Sequence, residues 1–265
     1  MVKCIAVIPA RYGSSRLPGK VLLPLAGKPM IQHVWERVQS CPLVEEIFVA
    51  SDDERVIRAV QAFGGRAVMT SPDHASGTDR IAEAVAGLKC KVVLNVQGDE
   101  PLISPRVIAE TAAPLLRERA EVMATASAPF RHVRDLFDPN CVKLVTDRHG
   151  HAIYFTRLPI PFLRQSNLTY EGYPKYLNRL PQHLRIFRRH LGIYAYRRDF
   201  LDEFVALPPS DLEKAEKLEQ LRAIENGYRI RVVEVDEAAV GVDTEADYLR
   251  LKKLMEGKSK SSRSR

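Results

Sequence analysis

The chain has 265 residues, 45% of them hydrophobic and 28% charged, with a net charge of +7. That length supports a core that stands without disulfides or a structural metal, and the composition excludes a disordered, collagenous or disulfide-scaffold chain. Four of the positive charges (Lys258, Lys260, Arg263 and Arg265) lie in the closing segment GKSKSSRSR, which leaves a body of only +3 and no basic recognition motif to argue for nucleic acid.

Apolar strand-like runs alternate with amphipathic helix-like runs. Residues 4–10 (CIAVIPA) read as a buried strand. Residues 30–41 place Ile31, Val34, Trp35 and Val38 on one helical stripe. Residues 46–51 form the next strand, and the run from Asp53 to Gly65 is a helix closed by glycines. A short strand at 66–70 precedes a helix that Thr78 is placed to cap, and KVVLNVQ (91–97) is a continuous apolar strand. Ser104-Pro105 opens a helix to residue 118. This alternation predicts an α/β fold with a mostly parallel sheet covered by helices on both faces.

The middle differs. Residues 121–130, 141–147 and 151–157 are strand-rich with little helix between them, and a proline- and aromatic-rich stretch runs from Pro159 to Leu184. This region, 121–197 with the strand at 189–197, reads as a subdomain inside a single domain of residues 1–256, a candidate dimer surface or lid. A long helix is predicted from Asp211, capped by Ser210 or Asp211 and stopped at Gly227. A strand from Arg229 and a helix from Thr244 follow. Residues 257–265, polar and basic, are predicted to be a disordered tail.

Cys4, Cys41, Cys90 and Cys141 are widely spaced, with no CxxC, which is the usage of a reducing compartment. The N-terminal apolar run is broken by Pro9 and followed by an arginine, unlike a signal peptide. No apolar run reaches the length of a membrane span. A cytosolic protein without stable membrane insertion is expected.

The stretch PARYGSSRLPGKVLLPLAGKP (Pro9–Pro29) has the composition of a phosphate loop. It is not a Walker loop: five residues separate Gly13 from Gly19, and Val21 stands where a magnesium-binding hydroxyl belongs. It is not a dinucleotide fingerprint either, because no GxGxxG follows the first strand. It does leave the carboxyl end of a strand, where open α/β sheets bind ligands. Its amides and its cations Arg11, Arg16 and Lys20 suit an anion.

Asp99 closes the strand at NVQGDEP, and Asp243 follows the last strand at VGVDTEAD. Alone, Asp99 reads equally as a ligand or as a turn residue, and Asp243 reads first as a cap of the last helix. Together with the basic loop they suit a magnesium ion, which takes one or two carboxylates and completes its shell with phosphates and waters. The run ASGTDR (75–80) opens a helix whose amides face an anion or simply meet their cap. Tyr154, Arg157, His190, Tyr194 and Arg197 crowd two strands, where an inward-facing Arg or His needs a partner or an anionic ligand. His149 and His151 are discounted as a metal pair, because Gly150 between them marks a turn. No GxSxG elbow and no HExxH motif supports a hydrolase.

As an ordered set, the motifs IPARYGSSRLPGK with GKPM, SGTDR, NVQGDEP, PNCVKLV, YFTR, HLGIYAYR, LEKAEKLEQLR and GVDT resemble the 3-deoxy-manno-octulosonate (KDO) cytidylyltransferases, from about Lys3 to Leu254. The resemblance implies a nucleotide-diphospho-sugar transferase fold, a homodimer and the Mg²⁺-dependent reaction of CTP with KDO to give CMP-KDO and pyrophosphate, a step of lipopolysaccharide biosynthesis. It implies that Arg11, Ser14, Arg16 and Lys20 hold the CTP phosphates, with Arg16, Lys20 and Asp99 catalytic. It implies nucleotide contacts from Ala10, Ser76, Gly77 and Arg80, Mg²⁺ on Asp99 and Asp243, and a sugar site of Gln97, Arg157, His190, Tyr194, Glu219 and Gln220. The rivals within this fold are a sialic-acid cytidylyltransferase and a sugar-1-phosphate nucleotidyltransferase. From another class, an RNA-associated protein rests on the basic tail alone.

Overall fold

The computed structural model describes residues 2–13, 17–164, 168–236 and 241–262. The chain groups into two compact units, one made of Met1–Ala112 and Ala239–Arg265, the other of Ala113–Ala238. It is a mixed α/β protein with a largely parallel sheet, as the alternation of runs predicts.

The first unit begins with β1 (Val2–Pro9), a 3₁₀ turn at Lys20–Leu22 and the short hairpin β2 (Pro24–Leu25) and β3 (Lys28–Pro29). Then come α1 (Met30–Gln39), β4 (Glu46–Ser51), α2 (Glu54–Ala62), β5 (Ala67–Met69), α3 (Gly77–Ala84), β6 (Cys90–Asn95) and α4 (Pro105–Arg117). The strands lie in the order β6-β1-β4-β5, every pairing parallel. β1 has a partner on each side, so Cys4, Ile5, Ala6, Val7 and Ile8 are all buried, which is why this strand is apolar throughout rather than alternating. A parallel order puts the carboxyl ends of β1 and β6 side by side, and both candidate loops leave from there.

The second unit holds β7 (Met123–Pro129), α5 (Val133–Phe137), β8 (Lys143–Thr146), β9 (Ala152–Thr156), α6 (Tyr173–Arg179), a 3₁₀ segment Pro181–Ile186 and β10 (Arg188–Arg197). It continues with α7 (Arg198–Ala206), α8 (Asp211–Glu216), α9 (Leu221–Glu225) and β11 (Ile230–Glu234). Antiparallel pairing joins β7 to β10, β10 to β8 and β8 to β9, while β11 runs parallel to β7. The strand-rich middle is therefore as predicted. After it, α10 (Glu245–Ser262) closes the chain, and Leu251 on it packs with Leu25, Met30 and Val242 of the first unit.

Local differences from the sequence expectations have identifiable causes. The Pro159–Leu184 stretch contains α6 and the 3₁₀ segment, because Tyr173, Leu177, Leu184 and Phe187 bury themselves with Phe130, Val133 and Leu136 in a small second core. The long helix expected from Asp211 breaks at Lys217, which turns left-handed at φ 54°. The break folds the chain back so that Arg222 meets the Glu213 carboxylate at 2.7 Å while Leu218 and Leu221 stay buried. The cap of α3 is Ser76, not Thr78. Residues 257–262, expected as disordered tail, continue α10. Residues 263–265 lie outside the described residues.

Candidate active site

The loop after β1 is pinched shut at its base. The Gly19 amide donates to the Tyr12 carbonyl at 2.9 Å. Gly19 sits at φ 67°, and a side-chain carbon there would lie 3.0 Å from the Tyr12 ring, so conformation and space both require glycine. The Arg55 guanidinium stacks on the Tyr12 ring, 3.4 Å from its centre. Ala10 is buried and its amide bonds the Ala50 carbonyl at 2.9 Å. Arg11 is exposed and reaches the His74 carbonyl at 2.9 Å. Ser14 and Arg16, which the resemblance makes phosphate ligands, lie outside the described residues. Gly13 is exposed, and a side-chain carbon placed there would meet none of the described residues within 4 Å.

Lys20 follows this hinge and turns inward. Its ammonium donates to Asp99 Oδ2, to Asp243 Oδ1 at 3.3 Å and to the Val242 carbonyl at 3.2 Å. Burial alone lowers the Lys20 pKa, but the two carboxylates outweigh it and hold the pKa above that of an ordinary lysine, so the group is charged. Two backbone features make the meeting possible. The Gly98 position lies so close to β1 that an added carbon would stand 3.0 Å from the Pro9 carbonyl oxygen. The Val242 amide donates to the Asp99 carbonyl at 3.0 Å, which ties the segment before α10 to the turn after β6. Gln97 points to Asn95, its amide nitrogen 2.8 Å from Asn95 Oδ1.

The start of α3 is closed on itself. Ser76 Oγ accepts from the amides of Thr78 at 3.2 Å and Asp79 at 3.1 Å, and the Asp79 carboxylate accepts from the Ser76 amide at 2.9 Å. Gly77 has ordinary clearance from Pro9, 3.6 Å. Arg80 is fully buried. Its guanidinium holds Asp52 at 2.7 Å and also donates to Thr70 Oγ1. With no exposed surface, this side chain braces α3 from within.

The remaining sugar-site candidates belong to the second unit. The Arg157 guanidinium donates to the carbonyls of Glu216 at 2.7 Å, Pro139 at 2.8 Å and Lys217 at 3.3 Å. Its own amide and the Thr156 hydroxyl donate to the Glu216 carboxylate at 3.0 and 2.5 Å. Arg157 thus fastens the break between α8 and α9, the turn that carries Glu219 and Gln220. Gln220 is buried, and its Nε2 has no acceptor among the described residues. The His190 ring packs edge-on to Phe155 and shares a hydrogen bond of 3.0 Å with Thr125 Oγ1. Burial, aided by the Arg189 charge, pushes the His190 pKa down to about 3, so the imidazole is neutral. Burial, with Tyr196 and Glu219 adding to it, holds the Tyr194 phenol well above its usual pKa. Arg197 is satisfied by the carbonyls of Glu121 and Glu118, both at 2.8 Å.

A cytidylyltransferase family model matches residues 5–230. A 3-deoxy-manno-octulosonate cytidylyltransferase of Geobacter sulfurreducens is 50% identical over 95% of this chain and 97% of its own, and one of Geotalea uraniireducens is 48% identical over 96% and 98%. The chain belongs to the 3-deoxy-manno-octulosonate cytidylyltransferase family. A solved CMP:2-keto-3-deoxy-manno-octonic acid synthetase, complexed with CTP, superposes on 97% of the chain with a TM-score of 0.86 at 43% identity. A cytidylyltransferase of Leptospira borgpetersenii, at 15% identity and a TM-score of 0.62, shares the fold.

In this cytidylyltransferase chain, several contributors carry no sequence signal of their own. The Val242 carbonyl is a backbone atom and has no residue-type signature. Asp52 and Glu216 look like ordinary surface carboxylates until Arg80 and Arg157 are seen to meet them. Tyr12 and Gly98 were legible as neighbours of motif residues, but their roles as loop anchor and close-approach point are tertiary. The discounted histidine pair is a turn: Gly150 adopts φ 79°, and His151 bonds Glu121 at 3.0 Å. All four cysteines are free. Among the described residues no helix is long and apolar enough to cross a membrane.

The oxygens of Asp99, Asp243 and Val242 converge on one cationic group, an all-oxygen set of the kind a hard divalent cation prefers. Among the described residues no three His, Cys, Asp or Glu side chains form a closed metal cage. The set therefore fits a magnesium ion that completes its coordination with phosphate and water oxygens, and not a structural zinc.

Proposed function

We propose that the chain transfers CMP from CTP to the anomeric hydroxyl of KDO, releasing pyrophosphate. The observation that carries this is the meeting of Lys20, Asp99 and Asp243 at the carboxyl ends of β1 and β6, in a chain half identical to relatives named for that activity. In the reaction the sugar oxygen forms a bond to the α-phosphorus, the bond from that phosphorus to the bridging oxygen breaks, and the hydroxyl proton is lost. Such transfers depend mainly on positioning and on neutralising charge.

The loop after β1 supplies the cations. Lys20 and Arg11, with Arg16 and Ser14, take the triphosphate oxygens, and Ala10, Ser76 and Gly77 meet the nucleoside side. Asp99 and Asp243 would hold magnesium, which when bound would neutralise charge on the α-phosphate and on the departing pyrophosphate. Gln97, His190, Tyr194, Glu219 and Gln220 recognise the sugar through neutral and acidic hydrogen-bonding groups, with Arg157 fastening the turn that carries the last two. A neutral His190 and a protonated Tyr194 suit a hydroxyl-rich ligand, since each both donates and accepts. The same reading implies a cytosolic homodimer that supplies an activated sugar for lipopolysaccharide.

The test is pyrophosphate release in the presence of Mg²⁺, with CTP, UTP, ATP and GTP offered separately, with and without KDO. Release that needs both CTP and KDO supports the proposal. Release with a sialic acid or a sugar phosphate in place of KDO would keep the nucleotide and metal roles and overturn the sugar assignment.

A further inference from the structure

We infer that Lys20 and a divalent cation compete for the same three oxygens, so that Lys20 is a gate which admits the cation when phosphate oxygens offer its ammonium another partner. This rests on the reading of Asp99 and Asp243 as metal ligands. Three observations support it. The Lys20 ammonium contacts Asp99 Oδ2, Asp243 Oδ1 and the Val242 carbonyl together, the set a magnesium ion would use. The two carboxylates come from distant parts of the chain and repel each other unless a cation lies between them, so the ammonium and the metal do the same electrostatic work. A dication and an ammonium on the same oxygens would stand within a few ångströms of each other, where like charges are strongly unfavourable at the edge of a protein.

The arrangement also has a way to open. Lys20 lies at the start of a 3₁₀ turn whose base is fixed by Gly19 and Tyr12, so the backbone stays put while the four-carbon stem rotates. The Asp243 side chain is 48% exposed and Asp99 24%, against 15% for Lys20, so both carboxylates are open to solvent. The same loop bears Arg11 and the exposed Gly13, and a triphosphate bound there would draw the ammonium off the carboxylates. Cation and nucleotide binding are then coupled through one side chain: each removes an obstacle to the other.

The experiment is titration with Mn²⁺, followed by electron paramagnetic resonance and by calorimetry, on the full chain as wild type and as Lys20→Met. Without nucleotide, Lys20→Met should bind Mn²⁺ tighter than wild type by about tenfold or more, the change expected when a close competing charge is removed. With CTP present the wild type should gain more Mn²⁺ affinity than the variant, because CTP relieves a competition the variant lacks. Equal or weaker Mn²⁺ binding by Lys20→Met in the absence of CTP overturns the gate. If the variant is poorly folded, melting temperature is read instead: Mn²⁺ must raise it more in Lys20→Met than in wild type, and an equal rise overturns the gate. Asp99→Asn in the Lys20→Met background should abolish the gain. A wild type that binds no Mn²⁺ even with CTP would overturn the metal reading itself, whereas normal wild-type binding with no gain in Lys20→Met would overturn the gate alone.

Discussion

A carbon placed on Gly98 would lie 3.0 Å from the Pro9 carbonyl oxygen and 3.2 Å from Ile31 Cδ1. The end of β1 and the turn after β6 touch backbone to backbone at this point, and Asp99 is the next residue. Gly98→Ala must push the turn outward, since a carbonyl oxygen cannot yield as a flexible side chain does. The expected cost is about 1–3 kcal/mol of stability, as for other overpacked sites. Displacement of the Asp99 carboxylate should lower kcat by tenfold or more, roughly what a misplacement of an ångström costs. Urea unfolding and steady-state kinetics on the variant check both.

Asp99→Asn keeps the shape of the turn and removes the charge that Lys20 contacts. Turnover should fall to background while the far-ultraviolet circular dichroism spectrum stays that of the wild type. Wild-type activity in this variant would remove Asp99 from the chemistry.

Arg80→Met should destabilise the first unit by about 3 kcal/mol, the low end for stranding the partner of a buried ion pair, because Asp52 keeps some exposure. Once the protein is folded at low temperature, the KM for CTP should change little. A large KM effect at unchanged stability would mark Arg80 as a direct nucleotide ligand.

Arg157→Lys removes the fork that bonds three carbonyls around Pro139, Glu216 and Lys217. The turn bearing Glu219 and Gln220 should loosen. The KM for KDO should rise several-fold while that for CTP holds, and Arg157→Ala should be worse. Equal effects on both substrates would point to general unfolding instead.

His190 gives a pH signature. Its pKa is about 3 in the folded protein against 6.5 unperturbed, with burial the main cause. A depressed folded pKa means the unfolded chain takes up the proton first. The stabilisation is thus complete above pH 6.5 and is lost as pH falls toward 3, at up to about 1.4 kcal/mol per pH unit. Denaturant titrations at pH 7, 6, 5 and 4 should show a steeper fall for wild type than for His190→Gln. Parallel curves would show that the imidazole stays hydrated.

Much of this protein was legible before folding was considered. The unbroken apolar run of β1 announced a strand buried between two neighbours. The spacing of Gly13, Gly19 and Lys20 excluded a Walker loop. Asp99 and Asp243 stood out because carboxylates at strand ends face the ligand crevice of a parallel sheet. The break in the helix after Asp211 was not legible, because the α8–α9 stretch has good helical periodicity and the left-handed Lys217 is held by Arg157 from elsewhere. The burial of Arg80 was not legible for a related reason: an arginine in a motif looks the same whether it meets a ligand or a buried aspartate.

The sequence by itself determined the kinds of residue at the strand ends, the parallel α/β frame and the family. Local periodicity and ordered motifs encode these, and neither depends on where distant segments end up. Only the tertiary structure decided that Lys20 meets Asp99, 79 residues away, and Asp243, 223 residues away. It alone turned Arg80 inward and recruited the Val242 carbonyl. Those outcomes come from close approach of backbones at Gly98 and Gly19 and from burial of charge against its partner, both set by packing between segments that no window of sequence contains.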